Sequence, residues 1–146
     1  MIWVYPGLTP WAKFCFPFGK LLSTKLVIHL ASASHNIPCS TPFKFRDLTW
    51  FANRALGNTD EMTVGRCVLK PGASNGRHYH PNCSEILVVI HGRIRHTIAN
   101  DQETELNEGD TVSIPPNIRH YATNVGDTDA ILFIAFSSAD REAVAE

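Results

Sequence analysis

From Thr41 onward, short runs of β-branched and aromatic residues alternate with turn-forming residues, and this pattern predicts an all-β fold. Two short segments, residues 48–54 and 139–145, are predicted as the only helices. Short strands at such regular spacing indicate a sandwich or a closed barrel. The predicted strands cover residues 63–70, 85–90, 93–99, 102–106, 111–114, 120–125 and 130–136.

The first 41 residues differ in composition from the rest of the chain. They contain no acidic residue, and their longest apolar run, residues 26–31, leads into Ala31-Ser32-Ala33. These small residues have the form of a secretory cleavage site. Because the apolar run is short and contains His29, we favour a poorly ordered extension or an over-assigned start over a signal peptide cut near Ala33. The folded domain is then predicted to cover residues 42–146, and the protein is expected to be cytoplasmic.

The overall composition predicts one globular domain and argues against several classes of function. A chain of 146 residues, 44% of them hydrophobic, is long enough to bury one core. The formal net charge is −1, and no basic stripe predicts a nucleic-acid partner. No apolar stretch has the length expected of a membrane span. The four cysteines form no C-x-x-C pair, which argues against a cysteine zinc site and favours a reducing compartment.

Three histidines and a glutamate are spaced so that they can share one metal ion. His78 and His80 alternate, so in an extended strand both imidazoles point to the same face. Glu85 opens the next predicted strand, and His120 follows the rigid double proline at 115–116. Imidazole and carboxylate ligands suit iron, manganese, zinc or nickel. We therefore predict one divalent metal ion on these four side chains, with coordination positions left for water, oxygen or substrate.

The spacing of these residues resembles that of the cupins. Their first motif, G-x5-H-x-H-x4-E-x6-G, fits residues 72–92 at every fixed position. Their second motif, G-x5-P-x-G-x2-H-x3-N, fits residues 109–124 except that Asn117 stands where the family usually has glycine. Asparagine tolerates a left-handed backbone, so we expect this turn to be kept. The resemblance implies a double-stranded β-helix, or jelly roll, with the metal inside the barrel, and it implies a homodimer.

Three classes of function follow from the resemblance, and we place a dioxygenase similar to the quercetin dioxygenases first. Such an enzyme would act on a small aromatic or enolic substrate, and Glu85 would be both metal ligand and proton acceptor. An isomerase, lyase or polyketide cyclase would use the metal as a Lewis acid and would need a separate base. His96 is the candidate base, because it alternates with Ile94 on the predicted inner face. A binding module similar to the auxin-binding cupins would only hold a ligand carboxylate.

Four further expectations concern the surroundings of the metal. Few charges besides Glu85 are predicted to reach the cavity, so we expect an apolar or aromatic substrate. Cys83 lies between the ligands, and we expect a small buried thiol rather than a reactive group. Asn124 and Asn117 are predicted to be turn residues rather than ligands. The last strand, residues 130–136, is apolar on both faces, which suits a barrel wall that packs against a partner subunit.

Overall fold

The computed structural model describes residues 46–146, which form β-strands and no helix. The strands form two antiparallel five-stranded sheets, in the orders β1-β2-β9-β4-β7 and β10-β3-β8-β5-β6. The predicted all-β double-stranded β-helix, or jelly roll, is confirmed. The strands are β1 (Arg46–Ala52), β2 (Thr63–Leu69), β3 (His78–Tyr79), β4 (Glu85–His91), β5 (Arg93–Ile98), β6 (Gln102–Asn107), β7 (Thr111–Ile114), β8 (His120–Asn124), β9 (Ala130–Phe136) and β10 (Val144–Ala145).

The core lies between the inner faces of the two sheets. Burial alternates along β2, β4 and β9, so every second side chain of these strands points into the barrel. Burying each large aliphatic side chain contributes about 1.5–3 kcal/mol, and this burial is the main term that holds the sheets together. The fully buried aliphatic side chains are Leu69, Leu87, Val89, Ile94, Ile114 and Leu132.

Both predicted helices are wrong. Residues 48–54 overlap β1, which pairs with β2 from Arg46 opposite Leu69 to Ala52 opposite Val64. Residues 139–145 include β10, which pairs with β3. Isolated helices this short are marginal because a helix nucleus is costly to form. Backbone hydrogen bonds to the partner strands, the following strand β2 for β1 and the distant strand β3 for β10, decide the conformation.

The turn at Asn117 keeps the left-handed backbone expected of this position. Its φ is +63°, and its N–H donates to the carbonyl of His80 at 2.8 Å. This bond joins the turn before β8 to the end of β3, so the second motif is attached to the first. Gly92 follows β4 with a φ of +83°, and a Cβ there would come within 3.0 Å of the Ala130 Cα. A side chain would therefore strain this turn twice over.

The predicted N-terminal extension, residues 1–41, lies outside the described residues together with the cleavage site near Ala33. Both therefore stay predictions, and so does the boundary at residue 42. Within residues 46–146, no helix is long and apolar enough to cross a membrane.

Candidate metal centre

The structure brings the four predicted metal ligands together inside the barrel. His78 of β3 lies directly opposite His120 of β8 in the register of one sheet. Glu85 opens β4 in the other sheet, and His80 immediately follows β3. One ligand atom from each of these four residues lies within 4.8 Å of the others. His80, Glu85 and His120 are buried and His78 is half-buried, so the group faces the interior rather than solvent.

Backbone carbonyls hold the three histidine rings in one tautomer. Each Nδ1 lies within hydrogen-bond distance of a carbonyl oxygen, which can only accept, so Nδ1 carries the proton. Each Nε2 is then left to bind a metal, an arrangement that second-sphere carbonyls commonly impose on histidine ligands. The acceptors are Gly76 for His78 (2.9 Å), Glu142 for His80 (2.6 Å) and Ile118 for His120 (2.9 Å).

Glu85 supplies the negative charge of the site. Its Oε2 lies 3.0 Å from Nε2 of His120 and 3.2 Å from Nε2 of His80. Burial alone would raise the pKa of Glu85, but the hydrogen bond from His120 and the close approach of both His120 and His80 lower this pKa to about 2. Burial lowers the pKa of His120, yet its bond to the carboxylate raises this pKa overall. The carboxylate is therefore ionised among the imidazoles, as a cation site requires.

The geometry of the donor atoms fits a metal ion. Bonds of roughly 2.0–2.2 Å hold ligand atoms of one ion at most about 4.4 Å apart. The four atoms here lie within 4.8 Å of one another, so the side chains need to approach by roughly 0.4 Å to share one ion. The buried Nε2 of His80 has no hydrogen-bond partner among the described residues, because its approach to Glu85 has the distance but not the direction of a hydrogen bond. A buried polar atom without a partner is costly unless a ligand satisfies it. A metal held by these four side chains would do so.

A cavity of about 40 Å³ adjoins the ligands. Its wall includes the charged side chain of Arg141, the one further Lys, Arg, Asp or Glu besides Glu85 among the described residues of this lining, which agrees with the expectation of few charges. Arg141 itself was not predicted, because its segment was expected to form a short helix at the end of the chain. Besides Arg141 and three of the ligands, the lining residues are Leu48, Trp50, Cys67, Asn75, Leu87, Leu132, Ile134 and Phe136.

The segment that follows β9, residues 140–146, forms part of the site. Its strand β10 pairs with β3, with Ala145 opposite His78. Its Glu142 carbonyl accepts the hydrogen bond from Nδ1 of His80. Arg77, next to His78, forms an ion pair with Glu146 at 3.2 Å. Residues 140–146 therefore position His78 and His80, two of the predicted metal ligands, and place Arg141 at the cavity.

A family comparison agrees with this geometry. Residues 65–136 match the family model of the cupin domain, and this match includes all four ligands. The chain belongs to the cupin superfamily.

Among curated proteins, this cupin is similar to plant proteins. A germin-like protein of Morus alba is 34% identical over 95 residues, which cover 62% of this chain and 46% of that protein. The auxin-binding protein ABP19b of Prunus persica is 36% identical over 81 residues, which cover 53% of this chain and 39% of that protein. The chain spans less than half the length of each of these relatives.

A solved structure shows the same likeness in three dimensions. A recombinant oxalate oxidase in complex with glycolate superposes on this cupin with a TM-score of 0.64 at 28% sequence identity. The superposition covers 73% of this chain and 57% of that one. The likeness therefore extends over most of this cupin's length.

His96 points into the cupin barrel, as its alternation with Ile94 predicts. Both residues are buried, whereas Arg93 and Arg95 are exposed. The His96 ring stacks on the His120 ring with 5.7 Å between centroids and 25° between planes. Burial and the nearby His120 lower the pKa of His96 to about 4. The structure thus places His96 against His120, a predicted metal ligand, and His96 is not one of the residues that line the 40 Å³ cavity.

Cys83 and Asn124, which were predicted to lie near the metal without binding it, have surroundings that suit structural roles. Cys83 is buried in the core, burial raises the pKa of its thiol, and the cavity wall contains Cys67 instead. The side-chain nitrogen of Asn124 donates to the carbonyls of Leu69 at 2.8 Å and Thr128 at 2.7 Å. These bonds fit the predicted turn role of Asn124.

Proposed function

We propose that this cupin is a metal-dependent oxidoreductase that uses dioxygen to act on a small organic substrate. The observation that carries the proposal is the ionised Glu85 among three histidines, with one ligand atom of each residue within 4.8 Å of the others. When bound, the ion would supply Lewis acidity and, as iron or manganese, one-electron chemistry. The similarity to a solved oxalate oxidase supports oxidoreductase chemistry on this barrel.

The size of the cavity favours a substrate of only a few heavy atoms. Its volume is about 40 Å³, whereas a cavity that accommodates benzene measures roughly 150 Å³. An aromatic ring, which the sequence led us to expect, does not fit beside the ligands without movement of the wall. A small enolic or carboxylic compound suits this space better.

Among the described residues that line the cavity, Glu85 is the one carboxylate, and it remains our candidate proton acceptor. A pKa of about 2 makes Glu85 a weak base while it contacts His120 and His80. A proton transfer to Glu85 therefore requires these contacts to loosen. The same contacts keep Glu85 charged and directed at the ion, so its first task is to hold the metal.

A non-catalytic binding module is the second candidate. The similarity to an auxin-binding protein favours it. The Lewis-acid isomerase, lyase or cyclase has less support, because its candidate base His96 does not line the cavity.

Oxygen uptake tests the proposed function. The protein is loaded separately with iron and with manganese, and dioxygen consumption is followed with small enols and carboxylic acids. We expect uptake with at least one compound, and we expect His120→Ala to abolish it. His91→Ala is the matched control, because His91 is exposed and bonds only to Glu108 among the described contacts. Tight substrate binding without oxygen uptake or turnover would overturn the proposed enzymatic function and favour the binding module.

A further inference from the structure

Trp50 lies where two cavities adjoin. The 40 Å³ cavity at the metal ligands and a second cavity of about 230 Å³ have two described lining residues in common, Trp50 and Arg141. The rest of the second cavity includes the polar side chains of Asn53, Thr63 and Asp140. The Trp50 ring and the Arg141 side chain therefore form the barrier between the two cavities.

The backbone around Trp50 leaves a place for its large ring. The pairing of β1 with β2 is irregular between Trp50 and Ala52, so Trp50 lies opposite Gly65 and Ala52 lies opposite Val64. A bulge of this kind redirects the side chain next to it. A Cβ on Gly65 would come within 2.6 Å of the Trp50 ring. The ring therefore occupies space that is free because Gly65 has no side chain.

Two side chains hold the Trp50 ring against the metal cavity. Phe136 meets it edge to face, with 6.2 Å between ring centroids and 66° between planes. The guanidinium carbon of Arg141 lies 4.8 Å from the Trp50 ring centroid. Contacts of these two kinds favour one orientation of the ring. The Phe136 ring also contacts the His80 ring, with 4.9 Å between centroids, so Trp50 is one ring away from a predicted metal ligand.

The barrier limits the size of a molecule that reaches the ligands. A cavity that accommodates benzene measures roughly 150 Å³. The metal cavity is much smaller than this, whereas the second cavity is larger. A packed interior does not admit an extra ring without displacing its neighbours. Removal of the indole would join the two cavities and make room for an aromatic ring at the ligands.

We propose that Trp50 is a specificity-determining residue that limits the metal site to ligands of a few heavy atoms. It does so by separating the metal cavity from the larger cavity beside it. The inference rests on the proposed function for the metal and adds a size limit that is set by one side chain.

Ligand binding to the protein loaded with ferric iron tests this role. The two probes are azide, which is small, and catechol, which is aromatic, and both change the optical absorption of ferric iron when they bind it. We expect wild type to bind azide and to bind catechol weakly. Trp50→Ala should strengthen catechol binding by roughly ten- to hundredfold and change azide binding less than about twofold. Trp50→Phe removes only part of the indole and should give an intermediate catechol affinity.

Phe51→Ala is the matched control, because Phe51 is the next residue of β1 and its side chain is exposed. It removes an aromatic ring from the same strand and should leave both affinities unchanged. Iron content is measured after every titration, since catechol also extracts iron. If Trp50→Ala does not fold, the comparison of wild type with Trp50→Phe decides. Equal catechol affinity in wild type and the Trp50 variants, or azide and catechol affinities that rise in parallel, would overturn the proposal.

A measurement without metal separates this proposal from the proposed function. Benzene is added to chelator-treated protein, and nuclear Overhauser contacts between benzene and the imidazole protons of His78 and His80 are recorded. We expect these contacts in Trp50→Ala and none in wild type. That result, in a protein that consumes no oxygen with any substrate, would remove the oxidoreductase and keep the role of Trp50. Contacts in wild type, or none in either protein, would remove the role of Trp50 whatever the oxygen assay shows.

Discussion

The metal site has two walls with different origins. One wall consists of the motif residues, whose ligands lie within two short stretches and whose spacing is visible in the sequence. The other is the segment 140–146, which contacts the first wall through Glu142 and the pairing of β10 with β3 but carries no recognisable motif. The hydrogen bond between His80 and Glu142 joins residues 62 positions apart. The comparison teaches that ligand identity is encoded locally, whereas ligand orientation and cavity charge depend on long-range pairing.

Removing a ligand from the motif wall should have the largest effect. His78→Ala or His120→Ala deletes an Nε2 donor, so we expect metal binding and activity to be lost while the barrel still folds. Metal content by mass spectrometry and far-UV circular dichroism measure the two properties, with His91→Ala as the control. A variant with full metal content would show that the motif wall does not hold the ion.

Removing the second wall should have an intermediate effect. Deletion of residues 142–146 takes away the carbonyl that orients His80 and the strand that pairs with His78. Loss of such an outer partner typically costs 10- to 100-fold in metal affinity. A competition titration with a chelator measures this affinity. Glu146→Gln is the control, because it removes ion pairs with Arg77 and Arg119 but keeps the backbone; equal affinity of deletion and wild type would contradict the role.

Acid should destabilise the metal-free protein between about pH 6.5 and pH 4. The pKa values of His78 and His96 are lowered to about 4, chiefly by burial, from the usual 6.5. In this window the unfolded chain binds protons that the folded chain does not, so stability falls as pH falls. His96 alone should contribute on the order of 3 kcal/mol.

Chemical denaturation of chelator-treated protein at several pH values measures this dependence. His96→Gln should reduce the slope in that window, whereas His91→Gln should not. His120 acts in the opposite direction, because its raised pKa favours the folded state below pH 6.5 and this contribution is lost as pH rises through the folded pKa. A flat profile between pH 6.5 and pH 4 would contradict the burial of neutral His78 and His96.

The smallest effect is expected at the turn that joins the two motifs. Asn117 has a φ of +63°, so Asn117→Ala should cost about 1 kcal/mol and Asn117→Gly very little. Thermal unfolding of the two variants measures the difference. If alanine were tolerated as well as glycine, the left-handed backbone would not be the reason for the residue at this position.

The sequence was sufficient to predict the barrel and the four side chains that meet inside it. β-strand patterning is a local property, and the alternation of His78 and His80 puts both rings on one face irrespective of the rest of the chain. The placement of His96 on the inner face follows from the same alternation. The left-handed turn at Asn117 could be predicted because few other residues tolerate that backbone.

The sequence was not sufficient to predict the strands β1 and β10 at the edges of the two sheets. β1 and β10 were predicted as helices, since each is stabilised by a partner strand outside its own segment and by packing rather than by its own residues. Arg141 was therefore placed on a short terminal helix instead of in the cavity wall. The homodimer, for which the apolar faces of β9 were suited, remains a prediction. Phe133 of that strand is exposed, as a residue that packs against a partner subunit would be in a single chain.

The central claim is that His78, His80, Glu85 and His120 hold one metal ion. It is tested most directly by the metal content of tag-free protein, purified without oxygen and without chelators. We expect close to one ion per chain in wild type and almost none in the double variant His78→Ala/His120→Ala. Wild type without metal, or a double variant that keeps it, would contradict the claim.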